Sequence, residues 1–328
     1  MQLQPLDDLY RPSRPPVVTI LVIVAIVVLL LVVLFRSCSK RELAPSDIPA
    51  QSEQTAFTNQ TETVAESPAA SEPLQPEPSA PPPLANEEFE QAFAASRQLH
   101  DNGKYYDARA VLLKILPRTD GARRTTVETA LGKLAVEIYF TPRPGPDKVE
   151  YVIQSGDSLS AIASRFICPK ELIQKANGIS DPRRIRPGQR LVFPDHPKFH
   201  IVVSKSSNTL VLSLNGEFFK RYVVSTGANA KTPVGTFKVS DKILHPDWWT
   251  DDGKVIPFGD PQNILGTHWL ALEATGETIR VSGYGIHGTW DESSLGSQAS
   301  AGCVRMRNSE VEELFTLIPR GTPVTIVE

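Results

Sequence analysis

Tyr284-Gly285-Ile286-His287-Gly288-Thr289 is followed, with fifteen residues separating His287 from Cys303, by Ser300-Ala301-Gly302-Cys303-Val304-Arg305-Met306. Each stretch sets a reactive side chain beside a glycine. A cysteine acting as nucleophile needs a base within hydrogen-bond reach and backbone amides that can face a developing oxyanion. Gly288 after the imidazole and Gly302 before the thiol supply the backbone freedom such a site needs. A free thiol has a pKa of about 8.5, so an adjacent imidazole is what would make thiolate available near neutrality. Cysteine and histidine alone leave a second reading open, a histidine hydrogen-bonded for structural reasons, and the surrounding sequence has to decide.

Those surroundings read as β. Ile201-Val202-Val203, Thr209 to Leu214, Phe218 to Ser225, Gly235 to Val239, Trp269 to Leu272 and Thr322 to Val327 are short apolar or alternating runs separated by turn residues. Asn215-Gly216 between two such runs predicts a tight hairpin. One helix fits, Ser309 to Leu317, so 199–328 is expected to be a mostly β domain. The insert from His245 to Asn263, with Trp248-Trp249, is long and loop-like; it reads either as a lid beside the site or as a surface loop whose tryptophans plug an edge. His245 and His268 read as structural. No cluster has metal-ligand spacing, so no metal or cofactor is expected.

The His-Gly-Thr and Ser-x-Gly-Cys-Val-Arg-Met pair resembles the signature of the L,D-transpeptidase catalytic domain, the YkuD-type fold. Thr226-Gly227 and Thr232-Pro233-Val234-Gly235-Thr236-Phe237 resemble that family's upstream strand and turn motifs, so the likeness covers Phe199 to Glu328. It implies Cys303 as acylated nucleophile, His287 as its base, the Gly288 carbonyl orienting the imidazole, and amides near Gly302 and Cys303 as oxyanion donors. Ser300 and Arg305 match positions that shape the site and contact substrate. The implied substrate is the peptidoglycan stem peptide: D-alanine leaves, the stem is held as a thioester, and an amine of a neighbouring stem forms the cross-link. Water or a protein amine in that last step would make the same site an L,D-carboxypeptidase or a protein-to-wall anchoring enzyme. One position departs, since Ala301 stands where members often carry histidine. A reading from another class, a wall-binding tether with an inert cysteine domain, has Ala301 as its only support.

Residues 149–194 read as strand, two helices and strand. Leu159, Ile162, Ala163 and Phe166 form one apolar helix face, Asp157 or Ser158 is its cap, and Asn177-Gly178 ends the second helix. Tyr151-Val152-Ile153-Gln154-Ser155-Gly156-Asp157-Ser158-Leu159, Asn177-Gly178 and Ile185-Arg186-Pro187-Gly188-Gln189 closely resemble a LysM domain, which implies binding to N-acetylglucosamine-containing glycan, in bacteria peptidoglycan. Cys168, before the second helix, reads as a small buried hydrophobe. Residues 86–140 have helical periodicity with turns at Asp101-Asn102-Gly103 and Thr119-Asp120-Gly121. Gly103-Lys104-Tyr105-Tyr106-Asp107-Ala108 resembles one tetratricopeptide unit, too little for a solenoid, which favours a helical spacer packed on its neighbour.

Upstream, 36–85 is rich in Pro, Ser and Glu, carries no Lys or Arg beyond Arg41, and is expected to be a disordered tether. Val17 to Phe35 is an uncharged apolar run with Thr19 its only polar side chain, long enough to span a bilayer core of about 30 Å as one helix. It lacks a small-residue cleavage site, so an uncleaved anchor is expected after a tail over 1–16. Arg36 also speaks against lipidation at Cys38. Counting Arg11 and Arg14 against Arg36, Lys40 and Arg41 would place 36–328 in the cytoplasm. The wall-directed domains override that count, and 36–328 is expected on the extracytoplasmic side of the cell membrane. A formal net charge of -3 carries no basic excess, which excludes nucleic acid as a partner. Three cysteines without a C-x-x-C pair suggest neither a disulfide framework nor a zinc site.

Overall fold

The computed structural model describes residues 82–250, 252–279 and 281–328. The tail (1–16), the membrane span (17–35) and nearly all of the linker (36–85) lie outside the described residues. No helix among those described is long and apolar enough to cross a membrane.

Three helices come first, α1 (Asn86–Asp101), α2 (Tyr105–Ile115) and α3 (Gly121–Tyr139). They bury Phe89, Ala108, Leu112, Val127, Leu131 and Ile138 against one another and their neighbours. The next unit pairs β1 (Lys148–Val152) with β2 (Arg190–Pro194) antiparallel, with α4 (Leu159–Arg165) and α5 (Lys170–Ala176) between them. Of the two candidate caps, Ser158 takes the role: its Oγ accepts the Ala161 N–H at 3.1 Å. Asp157 instead accepts from the Gln154 N–H at 2.8 Å and the Tyr151 hydroxyl at 2.6 Å, closing the turn before the helix. Asn177 shows why that residue type ends α5. Its side chain donates to the Val192 carbonyl at 3.0 Å and accepts the Val192 N–H at 2.8 Å, tying the helix end to β2.

The remaining residues form β3 (Phe199–Ser204), β4 (Thr209–Leu214), β5 (Glu217–Val223), β6 (Thr226–Gly227), β7 (Gly235–Leu244), β8 (Trp248–Trp249), β9 (Val255–Ile256), β10 (His268–Ala274), β11 (Gly285–Thr289), β12 (Gln298–Ser300), β13 (Val304–Arg307), α6 (Asn308–Leu317) and β14 (Pro323–Val327). Eight strands make one mixed sheet in the order β13-β11-β10-β7-β14-β3-β4-β5. Within this sheet only β11 with β13 and β14 with β3 run parallel. Residues of β3 are buried alternately at Phe199, Ile201 and Val203, as the two-residue period of a strand with one core face requires. Helix α6 packs Val311, Leu314 and Leu317 inward. At the far edge α3 lies along β5, with Arg221 bound to Glu128 at 2.8 Å and Tyr139 edge-on to Phe219 at 5.3 Å. The helical segment thereby shields an edge strand that would otherwise offer unpaired backbone.

The insert 245–263 is more ordered than its composition suggests. Trp248 pairs with Ile256 and Trp249 with Val255 in the small hairpin β8–β9. Its two ends are held by Asn263, whose side chain donates to the Pro246 and Ile256 carbonyls, both at 3.0 Å, and accepts the Leu265 N–H at 2.9 Å. Trp249 plugs no edge, being 72% exposed.

Candidate active site

The parallel pairing of β11 with β13 brings the two motif stretches together. Ile286 registers with Val304 and His287 with Arg305, so Cys303, directly before β13, lies at the level of Gly285. His287 is buried, and its Nδ1 lies 2.6 Å from the Gly288 carbonyl. A carbonyl only accepts, so Nδ1 carries the proton and Nε2 is left with its lone pair. Trp269, the β10 partner of His287, stacks on the imidazole with ring centroids 5.4 Å apart and planes 20° apart. Burial pushes the imidazole down to about 4, and the Arg305 charge adds to that shift, while the Gly288 and Leu265 carbonyls oppose it.

Cys303 is partly exposed. Its thiol donates to the Gly283 carbonyl at 3.6 Å rather than to the imidazole. Burial raises the thiol above its ordinary pKa, against opposing contributions from the Gly285 N–H and Arg305. The resting pair is therefore a neutral thiol and a neutral imidazole, not the ready thiolate that a cysteine beside a histidine suggests. For the thiol to meet the imidazole, the sulfur must turn away from the Gly283 carbonyl. Active-site hydrogen bonds commonly tighten in this way when substrate binds.

The turn before Cys303 is tied from both sides. Ser300 Oγ accepts the Gly302 N–H at 3.1 Å and donates to the Cys303 carbonyl at 2.6 Å. Buried Thr232 donates to the Gly302 carbonyl and accepts the Gly227 N–H, each at 2.7 Å. Gly302 itself has φ +143°, and a Cβ there would meet the Tyr284 ring at 2.9 Å, so only glycine fits. Ser300 is thus a residue of the turn, and the Gly302 amide is already engaged. Arg305 lies beside the imidazole, and its buried Nε has no hydrogen-bond partner among the described residues.

The structure brings together Cys303, His287, Gly288, Gly302, Ser300 and Arg305, and adds residues the motifs did not single out. Trp269 was legible only as a strand residue, because its contact comes from cross-strand pairing. Asn308 clamps the strand ends: Oδ1 accepts the Thr267 N–H at 3.0 Å and Nδ2 donates to the Thr289 carbonyl at 2.9 Å. Cys168, by contrast, is buried with its thiol pushed far up by desolvation, which leaves it inert.

The profile of the L,D-transpeptidase catalytic domain, YkuD, matches residues 198–326, and that of the LysM domain matches residues 151–194. YkuD of Bacillus subtilis (strain 168) is 34% identical over 182 residues, which cover 54% of this chain and 97% of that protein. YqjB of the same organism is 40% identical over 130 residues, covering 39% of this chain and 71% of the relative. Among solved structures, an L,D-transpeptidase from Mycobacterium smegmatis is 22% identical with a TM-score of 0.33, over 43% of this chain and 64%, just under two thirds, of that one.

Proposed function

Because this chain belongs to the L,D-transpeptidase family and is an enzyme of that class, we propose that it cross-links peptidoglycan stem peptides through an acyl-enzyme on Cys303, with D-alanine as leaving group. The observation that carries this reading is the His287 tautomer. With Nδ1–H given to Gly288, Nε2 is the only ring atom able to take a proton, and burial keeps it unprotonated at neutral pH. Nε2 takes the thiol proton as sulfur attacks the carbonyl carbon between the L-centre of the stem and the terminal D-alanine. The carbonyl electrons move to oxygen and return as the C–N bond breaks, and the imidazolium passes its proton to the departing amine. An amine of a neighbouring stem then attacks the thioester, and His287 moves its proton to the leaving sulfur. The partly exposed guanidinium of Arg305 suits a carboxylate of the stem.

Around this centre, residues 149–194 hold the glycan strand while the catalytic domain works on its peptides, and residues 17–35 anchor the chain in the cell membrane with 36–328 outside. Support for the anchor is the uncharged apolar run alone. Protease added outside spheroplasts should digest the region 36–328; complete protection would place that region in the cytoplasm.

The reaction is tested by incubating the full chain with purified disaccharide tetrapeptide and weighing the products. A dimer lacking one D-alanine is expected, and Cys303→Ala should form none. Tripeptide alone would make the enzyme an L,D-carboxypeptidase. Unchanged substrate would remove the reading.

A further inference from the structure

When Nε2 of His287 takes a proton from Cys303, the imidazole becomes a buried cation, and little around it is arranged to hold that charge. Its Nδ1–H goes to the Gly288 carbonyl, a neutral acceptor. No carboxylate pairs with the ring among the described residues, and the charged side chain that acts on it, Arg305 across the β11–β13 register, has the same sign. A buried charge without a partner is costly, so the ease of forming the thiolate–imidazolium pair depends on what else touches the ring.

Trp269 touches it. It registers with His287 on one side and with Ile243 of β7 on the other, so the three side chains share one face of the sheet. Indole and imidazole lie offset and nearly parallel, with centroids 5.4 Å apart and planes 20° apart. The same indole reaches along β11, since a Cβ on Gly285 would meet its Cε2 at 2.7 Å. It therefore spans from His287 to the strand position level with Cys303, whose sulfur faces the Gly285 N–H. Of the aromatic side chains, tryptophan has the face that best attracts a cation lying within about 6 Å of the ring centroid.

We propose that Trp269 is a positioning residue for the reaction: its indole face holds the His287 ring in place and stabilises the imidazolium formed when Nε2 takes the Cys303 proton. This rests on the acyl-enzyme reading above. The indole forms no bond and moves no proton. The thiol proton goes to Nε2, the electron pair left on sulfur attacks the stem carbonyl, and the attraction ends when the imidazolium passes its proton to the departing amine.

The test places tryptophans carrying one, two and three ring fluorines at position 269 of the full chain, which keeps the shape of the indole while withdrawing charge from its face. Wild type, this series and Cys303→Ala are compared on disaccharide tetrapeptide. Turnover should fall stepwise with fluorine content, to a kcat about five-fold below wild type at the end of the series, with KM changed by no more than about two-fold and Tm unchanged. Alkylation of Cys303 by iodoacetamide needs the same thiolate–imidazolium pair but no stem peptide, so its rate, followed by the mass of the Cys303 peptide, should fall in step. An indole that only fills space would give one kcat and one alkylation rate throughout the series. That result, or a falling kcat with unchanged alkylation, would overturn the proposal and leave the acyl-enzyme reading intact. Turnover by Cys303→Ala would overturn both.

Discussion

His287 and Cys303 are both kept neutral, and for the same reason: strands from distant parts of the chain close over them. That has a consequence for pH. The imidazole is pushed down to about 4, so on the acid side the base is lost only as the pH falls toward that value, well below the ordinary histidine pKa of about 6.5. The thiol is moved up from its ordinary value by burial, so it does not ionise on the alkaline side near neutrality. D-alanine release, as kcat/KM, should be level from about pH 5.5 to 8, since that profile reports the free enzyme's groups. An acid limb centred near 6.5 would mean that the buried His287 is not the base. That Cys303 and His287 come together beside their glycines was legible in the sequence because their spacing is local. Their protonation states were not, because the desolvation comes from Trp269 and from strands that register only in the folded sheet. Nor could the motif tell that the hydroxyl of Ser300 binds the turn and engages the Gly302 amide.

Asn308 carries the corresponding argument for elements. As the first residue of α6 it reaches both the entry to β10 at Thr267 and the end of β11 at Thr289, and its Oδ1 fills the space that a Cβ on Gly288 or Gly266 would need. Asn308→Ala leaves two backbone groups without partners and should cost about 2 kcal/mol, given roughly 1–3 kcal/mol for a buried group left unsatisfied. It should also lower turnover, since the Gly288 carbonyl that orients His287 shifts with β11. Thermal unfolding and kcat measured side by side check this; a variant as stable and active as wild type would contradict it. Longer strands such as β3 and β4 were readable from alternation and the Asn215-Gly216 turn. The two- and three-residue strands β6 and β12 were not, since they exist only by pairing with each other, Gln298 with Thr226 and Ser300 with Gly227. The hairpin β8–β9 escaped for a similar reason: its Gly-, Asp- and Pro-rich composition reads as loop, and the bonds of Asn263 that order it close over a distance no short window sees. The start of α6 at Asn308, one residue ahead of the expected Ser309, follows from the same side-chain clamp.

Across the whole described region the LysM unit and the transpeptidase sheet meet at Lys242. Its ammonium donates to the Ile318 carbonyl at 2.9 Å, faces Glu171 of α5 at 3.7 Å and lies 4.4 Å from the centre of the Phe315 ring. Burial pushes it down to about 8, with Glu171 opposing. Contacts of this kind, and those of α3 on β5, could not be read from motifs that describe each unit separately, although the units themselves were plain in the sequence. They join the LysM module to the transpeptidase domain within one chain, which suits the proposed work on a polymer of glycan and peptide. The central claim is that Cys303 becomes acylated by the stem. It is tested most directly by the intact mass of the full chain sampled soon after mixing with disaccharide tetrapeptide, followed by proteolytic mapping of the modified residue. The account expects an adduct on Cys303 equal to the substrate less D-alanine, absent from Cys303→Ala. An adduct on another residue, or product formed by Cys303→Ala, would contradict it.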